Sequence, residues 1–323
     1  MTKKTPVEDT LAALRALEGL PLAAEDEKRI RDAIASRNRE LVATAARTAR
    51  ELSLEAFCGD LARAFAYFLE NPARDKGCIA KCALVDALDA LQCDDDDLYA
   101  AGLRHVQMEP VWGGKEDTAA ALRVKCAFAL VRRNVPGVLF PLAELVNDPM
   151  PEARRGAIRA VAHVGGQEAE LMLRVLAWRL PDPEDLSECL NGLMECQPER
   201  SLPFVARFLD HEHPAVAESA ALAMGASRQA EAFEVLRRRW EQTVSPGLRD
   251  MLLLPIALIR NDAALEFLLA VVREGHAAAA ESALEAMGIY RDDPVARKAI
   301  GAAVRERDEH RVREAYDRVF EPY

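Results

Sequence analysis

The sequence copies itself along its length. Leu122-Arg123-Val124-Lys125-Cys126-Ala127-Phe128-Ala129-Leu130-Val131 aligns without a gap on the ten residues from Ala153 to Ala162, from Val216 to Gly225 and from Ala279 to Gly288. Weaker copies ending at Met194 and Ala257 fit between them, so the copies end at 131, 162, 194, 225, 257 and 288, in steps of 31, 32, 31, 32 and 31. A period of this length holds two helices of about 11–13 residues and two turns. A chain that repeats in this way folds as an array in which each unit packs mainly on its neighbours.

Within each copy, small and apolar residues recur three and four apart, the stripe that a helix buries against its neighbours. Second helices are expected from Val138 to Val146, Glu168 to Leu180, Leu202 to Leu209, Glu231 to Trp240 and Ala264 to Val272. Turn signals separate them: Asn147-Asp148-Pro149, Pro181-Asp182-Pro183, Asp210 with Pro214, and Ser245-Pro246-Gly247. Only 6% of residues are aromatic, so an apolar content of 50% rests on Ala, Leu and Val, which suit closely packed helices.

The pattern of an Asp, a basic residue six positions on, then Ala, Ala, Leu and Gly resembles the HEAT repeat family in its short bacterial, PBS-lyase-like form. Asp117 with Arg123 and Asp148 with Arg154 match it, and Asp75 with Lys81 is a basic-for-basic variant. The resemblance implies an all-α fold, a right-handed α-solenoid of stacked helical hairpins with an armadillo-like superhelix, in which the Asp and Arg link neighbouring turns as a ladder. Leu186, Ala217 and Ala280 hold the basic position later in the chain, so the ladder is expected to break there. Tetratricopeptide and ankyrin arrays have similar periods, but their signature residues do not occur.

The expected organisation is divergent N-terminal capping helices over 1–72, the repeat array over 73–307 and a C-terminal capping segment over 308–323. Lys81 places a further copy ending at Asp89, which lies 42 residues before Val131, 11 more than one period. The excess falls near 103–117 and is read as an insertion in the array.

Charge limits the function classes. With 42 basic against 53 acidic residues the net charge is -11, which opposes nucleic-acid binding, as does the lack of a basic run interleaved with aromatics. That argues against a likeness in function to HEAT-like DNA glycosylases. The opening is charged where a signal peptide needs an apolar run, and no stretch is apolar enough to span a membrane, so a cytoplasmic protein without membrane contact is expected. The seven cysteines, an odd number in a long chain, are expected to be reduced thiols.

Chemistry-bearing clusters receive structural readings. Cys78 and Cys82, four apart among apolar neighbours, read as core packing rather than as a zinc pair. Asp210-His211-Glu212-His213 reads as a solvated turn, and the acidic run from Asp94 to Asp97 as the cap of a following helix. Deoxyhypusine hydroxylase, a HEAT-like enzyme, carries repeated His-Glu dipeptides as iron ligands. Glu218-Ser219 and Glu281-Ser282 stand at the corresponding positions, so its ligand set is missing. No catalytic residue, metal or cofactor is assigned.

Two groups of candidate contact residues remain. Aligned helix positions that point away from the core carry Arg155, Arg159, Asn191, Glu218, Asp250, Glu281 and Glu285, with Leu222 and Leu254 interrupting the polar column, and Lys125 on the matching helix of the preceding copy joins Arg155 and Arg159. The resemblance places these helices on the concave surface, with a basic middle and an acidic C-terminal half. The second group, His105, Glu109, Trp112, Lys115 and Asp117, lies in the insertion, which serves either as a ligand site or as a plug with Trp112 covering a repeat face. The expected function is a non-catalytic scaffold for a protein partner with a basic segment; the alternative is an enzyme or small-ligand binder that uses the insertion. The oligomeric state is not legible.

Overall fold

The computed structural model describes residues 6–17, 19 and 21–321. The chain divides into two compact units, 1–160 and 161–323. The first holds α1 (Pro6–Arg15), α2 (Ala24–Ile34), α3 (Arg39–Glu51), α4 (Cys58–Glu70), α5 (Ile79–Ala90), α6 (Asp96–Leu103), strands β1 (Met108–Val111) and β2 (Gly114–Asp117), α7 (Ala120–Arg132), α8 (Leu139–Leu145) and α9 (Pro151–Val164), in which the division falls. In the second follow α10 (Gly166–Arg179), α11 (Pro183–Cys196), α12 (Pro198–Val205), α13 (Pro214–Ala226), α14 (Ala230–Gln242), α15 (Pro246–Asp250), α16 (Leu253–Ile259), α17 (Asp262–Glu274), α18 (Ala277–Ala286), α19 (Pro294–Arg307) and α20 (His310–Phe320).

Within each unit the helices stack hairpin upon hairpin, as in a solenoid. In the first, α1, α3, α5 and α7 form one row, with α3 against α5 and α5 against α7, while α2, α4 and α6 form the second. The helices upstream of 73 thus adopt the same two-row stacking as the repeats that follow. In the second unit, α11, α13, α16, α18 and α20 pack in sequence, backed by α10, α12, α14, α17 and α19.

Sandwiched helices explain the small residues. α13 lies between α11 and α16 and buries Val216, Ala217, Ala220, Ala221, Ala223, Met224 and Gly225. A Cβ on Gly225 would lie 2.2 Å from the Pro255 carbonyl oxygen, so only glycine permits this approach of α13 to α16. Pro255 also explains why the repeat's helix is split into α15 and α16. Its ring displaces the carbonyl four residues earlier, at Met251, where the helix breaks. Side-chain caps set several helix starts: Asn38 accepts from the Glu40 and Leu41 N–H, Asp182 from Glu184 and Asp185, and Asn261 from Ala264.

One expectation, that of reduced cysteines, is corrected, and the insertion takes a defined form. The insertion is a β-hairpin, with Met108 opposite Asp117 and Val111 opposite Gly114. Gly113, at φ +94°, permits the two-residue turn. Pro110 argues against a strand in the sequence, but it is tolerated because each strand has a free edge. The cysteines are not all thiols: Cys58, at the start of α4, is bonded to Cys93, just beyond α5. The stacking of these helices brings their Cα atoms to 5.6 Å, a proximity that a sequence separation of 35 conceals. Among the described residues, no helix is long and apolar enough to cross a membrane.

Candidate functional site

The Asp–basic spacing of six builds a buried polar spine in the first unit. Asp75 accepts hydrogen bonds from the Ala80 and Lys81 N–H, and its carboxylate lies 3.2 Å from Lys81 Nζ, with both side chains fully buried. Arg123, 2% exposed, lies between two repeats: its Nη1 is 2.7 Å from Asp117 Oδ2, and its Nη2 donates to Asp148 Oδ1 at 2.9 Å. Its Nε sits 2.8 Å from Asp148 Oδ2, at an angle too bent for a hydrogen bond. Burial alone would raise the Asp117 carboxyl, but the Gln107 and Ala119 N–H groups and Arg123 hold it below the usual carboxylate range. In the second unit Leu186, Ala217 and Ala280 are buried, and apolar packing stands where the ladder lapses.

The hairpin grows from this spine. Gln107 donates from Nε2 to the Asp75 carbonyl at 2.8 Å and from its backbone N–H to Asp117, while the His105 carbonyl accepts from Arg123. His105 and Glu109 are joined through Gln107 rather than to each other. Gln107 stands between them, touching His105 Nε2 at 3.3 Å on one side and the Glu109 carboxylate on the other. Glu109 also accepts from the Gly77 N–H; burial works against its charge, but the Gln107 and Gly77 hydrogen bonds hold its carboxyl below the ordinary value. Burial lowers the His105 imidazole. The hairpin base is therefore a structural tie, and Lys115 is exposed on β2. Trp112 covers no repeat face: its side chain is fully exposed at the turn, with Met108 and Val111 exposed beside it.

The aligned columns divide into paired and unpaired stretches. In the first unit Lys125 Nζ lies 2.7 Å from Asp86 of α5, and Arg132 pairs with Asp89 on the same helix. Arg155 is half-buried and Arg159 exposed, and both interact with other groups. In the second unit the same device recurs between α18 and α20, where Glu281 pairs with Arg311 and Glu285 with Arg318. On α13 and α15 the pairing lapses. Glu218 on α13 is exposed, and Asp250 on α15 is half-buried. Neither has an ion-pair partner among the described residues. Beside them stand Leu222, half-buried, and Leu254, 40% exposed, with Asn191 half-buried on α11.

The remaining clusters are occupied structurally. Burial pushes the Cys78 thiol up to about 11 and Cys82 up to about 12, so both stay protonated at neutral pH. Asp95 caps α6 through the Leu98 N–H, while Asp94 and Asp96 hold Arg133. His211 accepts from the His213 N–H, and Asp210 pairs with Arg239. Glu170 of α10, a buried acid without a sequence signature, is 2% exposed and sits 2.8 Å from Arg174 and 3.3 Å from Arg200. A lone Glu on an amphipathic helix reads as solvated, and only the packing of α10 buries it.

A family profile described as HEAT repeats matches residues 173–254. No curated protein matches the chain. Among solved structures, the chain is similar to the complex of CpcE and CpcF of phycocyanin lyase from Nostoc sp. PCC7120, with 17% identity, 90% of this chain and 97% of that one covered, and a TM-score of 0.34. It is also similar to human deoxyhypusine hydroxylase in complex with glycerol, with 17% identity, 79% and 91% covered, and a TM-score of 0.32.

Proposed function

We propose that this chain, an all-α array that carries HEAT repeats, is a non-catalytic scaffold that holds a protein partner along the outward columns of its second unit. The observation that carries the reading is the lapse in lateral ion pairing. On α5 with α7, and on α18 with α20, acids of one repeat are neutralised by bases of the next. On α13 and α15, Glu218 and Asp250 have no such base among the described residues; Leu222 lies one helical turn from Glu218, and Leu254 follows Asp250 at the start of α16. Acidic groups beside half-exposed leucines complement a basic amphipathic segment, which would place its cations on the acids and its apolar face on the leucines. A polyanion would be repelled from the same surface.

The insertion is the weaker place for ligand chemistry, because His105, Glu109 and Asp117 are engaged with Gln107, Gly77 and Arg123. The test is affinity capture from native cells with the parent and with Glu218→Lys/Asp250→Lys. The expected result is a captured protein that the double variant loses, that a Lys115→Glu variant retains, and whose capture weakens with salt. Capture that the double variant retains in full would overturn the reading.

A further inference from the structure

The C-terminal end of the second unit holds an open cleft of about 570 Å³ between the start and middle of α19 and the flank of α20. Arg291, Arg297, Lys298 and Arg305 line it against a single acid, Asp292, in a chain whose net charge is -11. These cations are poorly neutralised. Lys298 and Arg305 have no ion-pair partner among the described residues, and Arg297 reaches only within 3.8 Å of Glu321. Arg291 is fixed in place by donating from Nε to the Val319 carbonyl at 2.9 Å.

The floor of the cleft is shaped by Gly301. Glycine in a helix interior is unfavourable, yet here it leaves a space that a Cβ would fill. The position such a Cβ would take lies 3.2 Å from the Tyr316 hydroxyl and 3.4 Å from Arg305 Nη1, so a neutral donor and a guanidinium converge there. Tyr316 is held by its stack on Phe320, at 5.0 Å between ring centroids.

We propose that this cleft binds a phosphoryl group, carried either by a soluble phosphorylated compound or by a phospholipid headgroup. Several cations around one hydroxyl donor match a compact, multiply charged oxyanion, and arginine forks suit its paired oxygens. The site lies outside the column proposed for the protein partner and does not depend on it.

The test is calorimetric titration of the full chain with inorganic pyrophosphate, alongside sedimentation with phosphatidylcholine vesicles with and without phosphatidic acid. One saturable pyrophosphate site per chain is expected, weakened roughly tenfold or more by Arg305→Gln and by Lys298→Gln. Tyr316→Phe, which keeps the ring stack and removes only the hydroxyl, should weaken it several-fold. Arg237→Gln on α14, whose guanidinium is already paired with Glu234 and Glu241, should leave it unchanged. Binding to phosphatidic acid vesicles that Arg305→Gln abolishes assigns the group to a lipid; pyrophosphate binding without vesicle binding assigns it to a soluble compound. Absence of saturable binding to both probes, equal binding by Arg305→Gln in both arms, or competition by polyglutamate at equal affinity would overturn the proposal.

Discussion

Replacing Arg123 by Met keeps most of the side-chain volume and removes the one cation between Asp117 and Asp148. The two carboxylates are 6% and 10% exposed, so water cannot take over that role. Each keeps backbone donors: Asp117 those of Gln107 and Ala119, Asp148 that of Met150. Breaking a buried ion pair from one side costs about 3–5 kcal/mol. In a domain of this size, each kcal/mol lowers the Tm by roughly 2–4 °C, so a drop of about 6–20 °C is expected in thermal unfolding followed by circular dichroism. The pH dependence is more diagnostic. In the parent, Asp117 lies below its ordinary value when folded, so its stabilisation is present above the unfolded value of about 3.9 and is lost as the pH falls through the folded one. In Arg123→Met the folded value rises relative to the parent, because the guanidinium is gone while the Gln107 and Ala119 donors remain, and the native state takes up its proton at a higher pH than the parent does. The deficit relative to the parent should therefore be largest near neutrality and narrow as the pH falls through the carboxylate range. A loss below about 1 kcal/mol, or a deficit that does not change with pH, would refute the assignment of Arg123 as the bridge between repeats.

Gly225→Ala should destabilise by about 1–3 kcal/mol in urea unfolding, because its Cβ meets the Pro255 backbone and α13 must move away from α16. Trp112→Ser should change stability by no more than ~0.5 kcal/mol, since the indole is fully exposed; a larger loss would mean that the turn packs on the array. Cys58→Ser/Cys93→Ser should cost about 3–4 kcal/mol from the loop-closure entropy of a bridge spanning 35 residues. Equal stability of the parent with and without reductant would count against that bridge.

The repeat and its ladder were legible because their causes are local. A helix that packs on neighbours on both sides must carry small residues at fixed spacing, and an Asp six before a basic residue is a short-range signal that Asp75–Lys81 and Asp117–Arg123 realise as contacts. The hairpin was not legible, because four-residue strands are too short to display alternation and Pro110 reads as a strand breaker. The Cys58–Cys93 bridge and the burial of Glu170 depend on which helices stack, which no local pattern states. For the candidate site, the sequence marked a polar column but not its occupancy. Glu281 and Glu285 look the same as Glu218 along the chain, and only the position of α20 neutralises the first two.

Hydrogen exchange of the full chain, with and without the protein it captures, tests the scaffold reading most directly. Protection confined to α13, α15 and α16, and lost with Glu218→Lys/Asp250→Lys, is the predicted result. Protection centred on the hairpin at Met108–Asp117, with α13 and α16 unchanged, would contradict it.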